Sequence, residues 1–553
     1  MSHPRTRPAL AALPSLEQPA TPLGEVLWML VAIAAAMLVF RGVLPYFFAQ
    51  DDFSGLARAR GLLPPVVFPW RWISGQLYFD AMRALAGLVP LSYRVVSLTA
   101  HAVSVALVYR LCRRFSAAPA AAVGATFFGT HPALFTALYS ISGIGELLAA
   151  ACAIASLLLV TRPGRRAWFA VPLFAASLLS KESTLLVPLV ALLPALRGGA
   201  APGAGPSTPH AASIAHSARA IPPRAASNGM LSRAWLRAIP APVWALLALS
   251  LAYTCAFFAR DVFGVRAPLA ASSAYALRFD RTLLDNLLTY LGWTVKIALP
   301  WVNSFTDAID PDMWLAGIAF ALVCAVGFAV AALRQRGWSA GVAWFALALL
   351  PVLPLAHHTY HYYLYTPLAG AAVLVAALIG SASEYLRRRG GPRTGAALAA
   401  VAALAIALAL TLNGARLVRK IETYPFVDPE LRADATVDRA RIAANAVADL
   451  RSARFTPGTQ LWFWSPASIA RQQAEGKDPA LESYWESNVR SALYDGLAAR
   501  LFVPQVTQTR FVRAFEAAGD SVRYAVYLPN GHLRVGTVAE LDSMLHRTPT
   551  GAQ

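Results

Sequence analysis

Two adjacent carboxylates, Asp51 and Asp52, stand in YFFAQDDFSG, directly after the first apolar run. Like charges side by side repel, and a partly dry site penalises both, so one is driven toward keeping its proton. Such a carboxylate can take the proton of an acceptor hydroxyl as a general base. The plainer reading is a solvated pair at a helix exit that caps the next helix, since Asp is a good N-cap. Lys181 and Glu182 are adjacent between two short apolar runs, where ionisable groups are costly and usually functional. They read either as solvated charges in a tight turn or as an ammonium that neutralises a lipid phosphate, oriented by its neighbour. Arg71 lies between Trp70 and Trp72. That cluster anchors a helix at headgroup level or clamps a phosphate through the two-pronged guanidinium.

His357, His358 and His361 fall at i, i+1 and i+4, and a helix would put His357 and His361 on one face. A metal site needs further ligands, and the acidic residues are distant in sequence. Hydrogen bonding to phosphate or sugar, with Tyr365 nearby, is the preferred role. His131 precedes Pro132 and reads as a helix end, because Pro restricts its predecessor. Glu146, inside an apolar run, is expected to line a polar cavity. Asp307, Asp310 and Asp312 lack the Gly and closing Glu of a calcium loop and read as a solvated turn.

These residues must be positioned by membrane-spanning helices. The chain of 553 residues is 57% hydrophobic and 14% charged, against about 25% charged in soluble domains. Runs near the roughly 20 apolar residues a span needs lie at 24–43, 94–112, 117–135, 141–160, 166–180, 183–197, 240–259, 314–333, 340–356, 363–383 and 396–415. A twelfth run, 283–301, carries Asp285, Asn286 and Lys296 and reads as interfacial or re-entrant. The fold expected is an all-α polytopic membrane protein, with about eleven transmembrane helices plus an interfacial helix, and a small C-terminal α/β soluble domain. The net charge of +19 sits largely in short loops, where it orients helices rather than marking a nucleic-acid partner. The Arg-bearing loops fall on one side if 283–301 does not cross. That side becomes the cytoplasm, with the N-terminus inside and the C-terminal domain outside. The expected organisation is a cytoplasmic tail at 1–23, a membrane module at 24–197, a Pro/Gly/Ala/Ser-rich linker at 198–239, further spans at 240–415 and the outer domain at 420–553. Cys112, Cys152, Cys255 and Cys324 lie in or beside apolar runs without CxxC spacing, so neither a disulfide framework nor a zinc site is indicated.

The order of these features resembles the GT-C glycosyltransferases, polytopic enzymes that use a polyprenyl-phosphate sugar. Within that class it is most similar to the O-mannosyltransferases with transmembrane and tetratricopeptide regions and their bacterial relatives. The stretches that carry the likeness are the acidic pair, FPWRWISGQLYFDAMRALAGLVPLSYRVVSLTAHAV with Arg71 and His101, HPALFTALYSISGIGELLAA, LLSKESTLLVPL and HHTYHYYLYTPLAG. They span residues 24–415, and no tetratricopeptide array follows. Thr136, Ile144 and Tyr362 stand where the family often has Glu, Arg and Arg. The resemblance implies sugar transfer from a polyprenyl phosphate to an acceptor hydroxyl at the outer face of a bacterial inner membrane. It implies Asp51 or Asp52 as base, with Arg71, His131, Glu146, Lys181, Glu182, His357, His358, His361 and Tyr365 around the donor. It implies no organic cofactor and leaves a divalent metal optional. The competing reading is a non-enzymatic transporter or an envelope polysaccharide assembly subunit. Transporters often carry inverted repeats, and the sequence shows no repeat.

Overall fold

The computed structural model describes residues 21–193, 239–262, 276–296, 311–334, 336–356, 358–425, 432–478, 482–513, 519, 521–537 and 540–541. Most of the expected tail and of the linker, together with His357, Asp307 and Asp310, lie outside the described residues.

The membrane part is a helical bundle. In chain order it comprises α1 (Pro22–Phe40), α2 (Asp51–Ala59), α3 (Tyr78–Ala86), α4 (Pro90–Cys112), α5 (Ala118–Gly129), α6 (Phe135–Tyr139), α7 (Ile144–Val160) and α8 (Ala170–Ser180). It continues with α9 (Ala241–Val262), α10 (Thr282–Val295), α11 (Pro311–Arg334), α12 (Arg336–Leu349), α13 (Pro367–Gly390) and α14 (Pro392–Thr423). Six described segments are long and apolar enough to cross a membrane: 22–43, 90–112, 141–160, 241–259, 367–389 and 393–423. The chain is therefore a multi-pass membrane protein. Shorter apolar helical segments, 118–129, 182–192, 314–326 and 339–352, accompany these six.

Several expected spans are shorter than their apolar runs, each for a local reason. The run 117–135 is interrupted at His131–Pro132, so α5 has only 12 residues. The run 183–197 winds as a 3-10 turn over Val187–Leu192, with Pro188 in its first turn. The doubtful run 283–301 yields α10, whose 14 residues fall short of a crossing. Small residues let the helices approach closely. A Cβ on Gly370 in α13 would lie 2.6 Å from the Gly341 carbonyl of α12, and one on Gly124 in α5 would lie 2.5 Å from the Ala372 carbonyl of α13.

The C-terminal domain holds α15 (Ala435–Ser452), β1 (Thr459–Trp464), α16 (Pro466–Ala474), α17 (Tyr484–Ala492), α18 (Leu497–Phe502), β2 (Val506–Phe511), β3 (Val522–Tyr527) and β4 (Leu533–Gly536). The sheet order is β2-β1-β3-β4. β1 is the parallel neighbour of both β2 and β3, and β3–β4 is the antiparallel hairpin that the Pro-Asn-Gly turn announces. The amphipathic stretch 482–502 forms two helices rather than one. Tyr494, Asp495 and Gly496 all have positive φ and break it, and a capping box between Ser483 and Glu486 opens the first half.

This domain lies against the loop between α1 and α4. Phe502 packs against Phe47, Phe48 and Phe53 with ring centroids 5.4, 6.4 and 6.3 Å away. Arg60 donates to the carbonyls of Leu501 and Arg500 at 2.6 and 3.3 Å, and the Gln50 amide donates to the Ala492 carbonyl at 3.2 Å. The acidic loop and the C-terminal domain thus occupy the same end of the bundle.

Candidate functional site

Four segments far apart in sequence meet at that end. Glu146, in the first turn of α7, is 2% exposed and pairs with Lys181, 12% exposed, across 2.7 Å from Nζ to Oε1. Its other oxygen accepts from the Ser183 hydroxyl at 3.0 Å. Lys181 leaves the end of α8 in an extended conformation. Its ammonium lies 4.5 Å from the Tyr362 ring centroid and 5.2 Å from that of Tyr363, a favourable contact with aromatic faces. Glu182 takes the guanidinium of Arg71 in a two-pronged bond, with Nε to Oε2 at 3.0 Å and Nη2 on Oε1. Arg71 has φ +49°, and a π-helical turn over Ile73–Leu77 follows it. A non-glycine residue in that region carries backbone strain of about 1–3 kcal/mol and persists only where its surroundings impose it.

His358 completes the rim, its Nε2 2.9 Å from the Tyr362 hydroxyl. Burial first, then the charges of Lys181 and Arg71, pull its pKa down to about 4, so the ring is neutral at ordinary pH. His361 stacks on Trp293 at 3.6 Å between centroids. The group therefore holds two cations, two carboxylates, a neutral imidazole and tyrosine hydroxyls.

The acidic pair divides into two environments. Asp51 is exposed at the start of α2. Asp52 is 1% exposed, and each of its oxygens accepts a main-chain N–H, Oδ1 from Ser142 at 2.7 Å and Oδ2 from Ala49 at 3.1 Å. Burial pushes its pKa up, against the pull of Arg94 and those two bonds. Ser142 is four residues ahead of Glu146, so Asp52 ties the acidic loop to the segment that carries the ion pair. Gln50, immediately before the pair, has φ +53°.

Two of the expected donor-binding residues have other employment. His131 accepts from the Ala133 amide at Nδ1, 3.2 Å, and donates from Nε2 to the Thr294 carbonyl at 3.1 Å. Both ring nitrogens are consumed by main chain, so its observed role is a helix cap that reaches α10. Tyr365 is fully buried, and its hydroxyl lies 2.8 Å from Nδ1 of His101, whose Nε2 meets the Gly129 carbonyl at 3.0 Å. That chain crosses the bundle interior.

Two residues beside the pair escaped the sequence reading. Arg94, in the second turn of α4, is fully buried and donates to the carbonyls of Phe47 and Tyr139 at 2.8 and 2.5 Å, and to that of Tyr46 at 3.3 Å. An arginine inside an apolar run was the available signal. Glu422, at the end of α14, accepts from the Tyr139 hydroxyl, and nothing in its local sequence marks it. Among the described residues no group of three or more His, Cys, Asp or Glu side chains is arranged to hold a metal ion.

The class these observations define is a multi-pass helical membrane protein with an ion-paired cluster at one end, where an α/β domain packs on the loop between α1 and α4. No family model matches the chain, and no curated protein matches it. Among solved structures, ArnT from Cupriavidus metallidurans bound to undecaprenyl phosphate aligns over 89% of this chain and 90% of that one, at 13% identity and a TM-score of 0.41. A superposition that loose carries no chemistry across, so function rests on this chain's own residues.

Proposed function

We propose that this protein is a membrane glycosyltransferase of GT-C type that moves a sugar from a polyprenyl-phosphate donor to an acceptor hydroxyl at the extracytoplasmic face. The observation that carries the reading is the meeting of Arg71, Glu146, Lys181, Glu182, His358 and Tyr362 at the end of the bundle where the acidic pair emerges. The sequence resemblance supplies the reaction.

Asp51, the exposed member, takes the acceptor proton, and the oxygen so activated attacks the anomeric carbon in line, with inversion. The phosphate leaves with the bonding electron pair. Lys181, held by Glu146, and Arg71, held by Glu182, supply the positive charge that stabilises the departing oxygens while charge builds. The neutral His358 and the Tyr362 hydroxyl add hydrogen bonds. Asp52 and Arg94 act by fixing the loop that carries Asp51. The setting is a bacterial inner membrane with the N-terminus cytoplasmic.

Purified protein incubated with polyprenyl-phosphate hexoses and candidate acceptors tests this. Asp51→Asn is expected to lower transfer by a factor of about 100 or more, the usual worth of a general base. Full activity in Asp51→Asn removes the assignment. Mass spectrometry of envelope glycans and glycoproteins from a deletion strain identifies the acceptor.

A further inference from the structure

Beyond the charged pocket, α3 carries a feature of its own. A cavity of about 460 Å³ opens between the C-terminal end of α2 and that of α3, lined by Arg60, Asp80, Arg83, Ala84, Gly87 and Leu88. That is within the range of small-ligand sites. Arg60 spends one Nη on the Leu501 and Arg500 carbonyls, and Arg83 spends one on the Ala59 carbonyl at 2.7 Å. Their remaining guanidinium donors have no acceptor among the described residues. Asp80, on α3 three residues before Arg83 and lining the same cavity, receives only the Gln76 amide, at 2.9 and 3.0 Å.

The cavity stands where the membrane surface must be. α4, a long apolar segment, begins at Pro90, three residues after the cavity wall at Gly87. Leu77, Leu85, Val89 and Leu91 around it are exposed, Leu85 by 84%. Exposed aliphatic side chains beside guanidinium groups are the arrangement expected where chain meets acyl tails below and headgroups above.

We infer that this cavity binds the headgroup of a zwitterionic aminophospholipid: Arg60 and Arg83 take the phosphate, Asp80 takes the ammonium, and the acyl chains run down past Leu85 and Leu91. Two cations and one anion match a phosphoethanolamine group better than phosphoglycerol, which lacks the ammonium. A choline headgroup has no N–H for Asp80. The site is separate from the charged pocket, although α2 joins them: nine residues at 1.5 Å each put Arg60 about 13 Å from Asp51 along the helix. The inference does not require sugar transfer.

The test is native mass spectrometry of the full chain in micelles with equal phosphatidylethanolamine, phosphatidylglycerol and phosphatidylcholine. Arg83 and Asp80 are exposed, so Arg83→Ala and Asp80→Asn are the variants of choice; Arg60→Ala would also release Leu501. The expected result is preferential retention of phosphatidylethanolamine. Arg83→Ala should weaken ethanolamine and glycerol lipids alike by about tenfold, the size of a lost charge-assisted bond. Asp80→Asn should erase the difference between them. Free phosphoethanolamine that displaces the lipid at equal concentration would make the ligand a soluble phosphoamine; millimolar excess points to the lipid. Equal retention of all three lipids by the unaltered chain, or no response to either variant, overturns the inference.

Discussion

The buried pair of Glu146 and Lys181 is stabilising only as a pair. Removing one partner leaves the other charge uncompensated in a dry place, at about 3–5 kcal/mol. Lys181→Met should lower the thermal midpoint of the purified protein sharply, and adding Glu146→Gln should recover much of the loss. Asp51 and Asp52 should separate by the same measurement. Asp51→Asn, at an exposed position, leaves stability unchanged. Asp52→Asn puts an amide where two main-chain N–H groups need acceptors, so it lowers both stability and transfer. His358 gives a pH signature. Its folded pKa of about 4 lies below the ordinary value near 6.5, so the unfolded chain binds the extra proton first. Its contribution is intact above pH 6.5 and is lost as pH falls toward 4. His358→Gln should flatten that part of a stability-against-pH curve. At this scale the sequence exposed the ionisable residues but not their partners. That Lys181 reaches Glu146, and Arg71 reaches Glu182, depends on how α7, α8 and the 71–77 turn pack, which no spacing of charges contains.

Helices and strands were more legible. Apolar length located α1, α4, α7, α9, α13 and α14, because the bilayer imposes a length that sequence must meet. It overstated the runs holding Pro132 and Pro188, where the missing amide N–H stops a regular helix. In the C-terminal domain, the Pro-Asn-Gly turn gave away β3–β4, whereas β2 went unnoticed. Only its first residue, Val506, is buried and the rest are exposed or half-buried, as suits an edge strand, so it has little hydrophobic signal. The close crossing of α12 and α13 is a property of elements too. Gly370→Ala would push a methyl into the Gly341 carbonyl and the Phe345 amide, each 2.6 Å away. Overpacking of this kind costs about 1–3 kcal/mol, and a lowered unfolding temperature with unchanged helix content by circular dichroism would record it.

For the molecule as a whole, Phe502 ties the C-terminal domain to the membrane part, packed against Phe47, Phe48 and Phe53. Phe502→Ala should open the Phe47, Phe48 and Phe53 nest, at about 3–5 kcal/mol for a buried aromatic. Limited proteolysis should then cut near residue 50 in the variant and spare the parent. Asp434 reports on the same junction. It caps α15 through one oxygen, and burial lifts its pKa to about 6. Its ionisation therefore opposes folding progressively as pH climbs from about 4 toward 6. Asp434→Asn, which keeps the cap, should raise the midpoint at neutral pH.

The bond from Arg60 to the Leu501 carbonyl joins positions 441 residues apart. A ribosome makes Phe47, Phe48 and Phe53 early and the ring that covers them almost last. Until Phe502 is made those three rings lack that cover, a handle for chaperones and for the proteases that clear stalled chains. A nascent or truncated product would thus advertise itself as unfinished, and maturity would be sealed only when the final helices arrive.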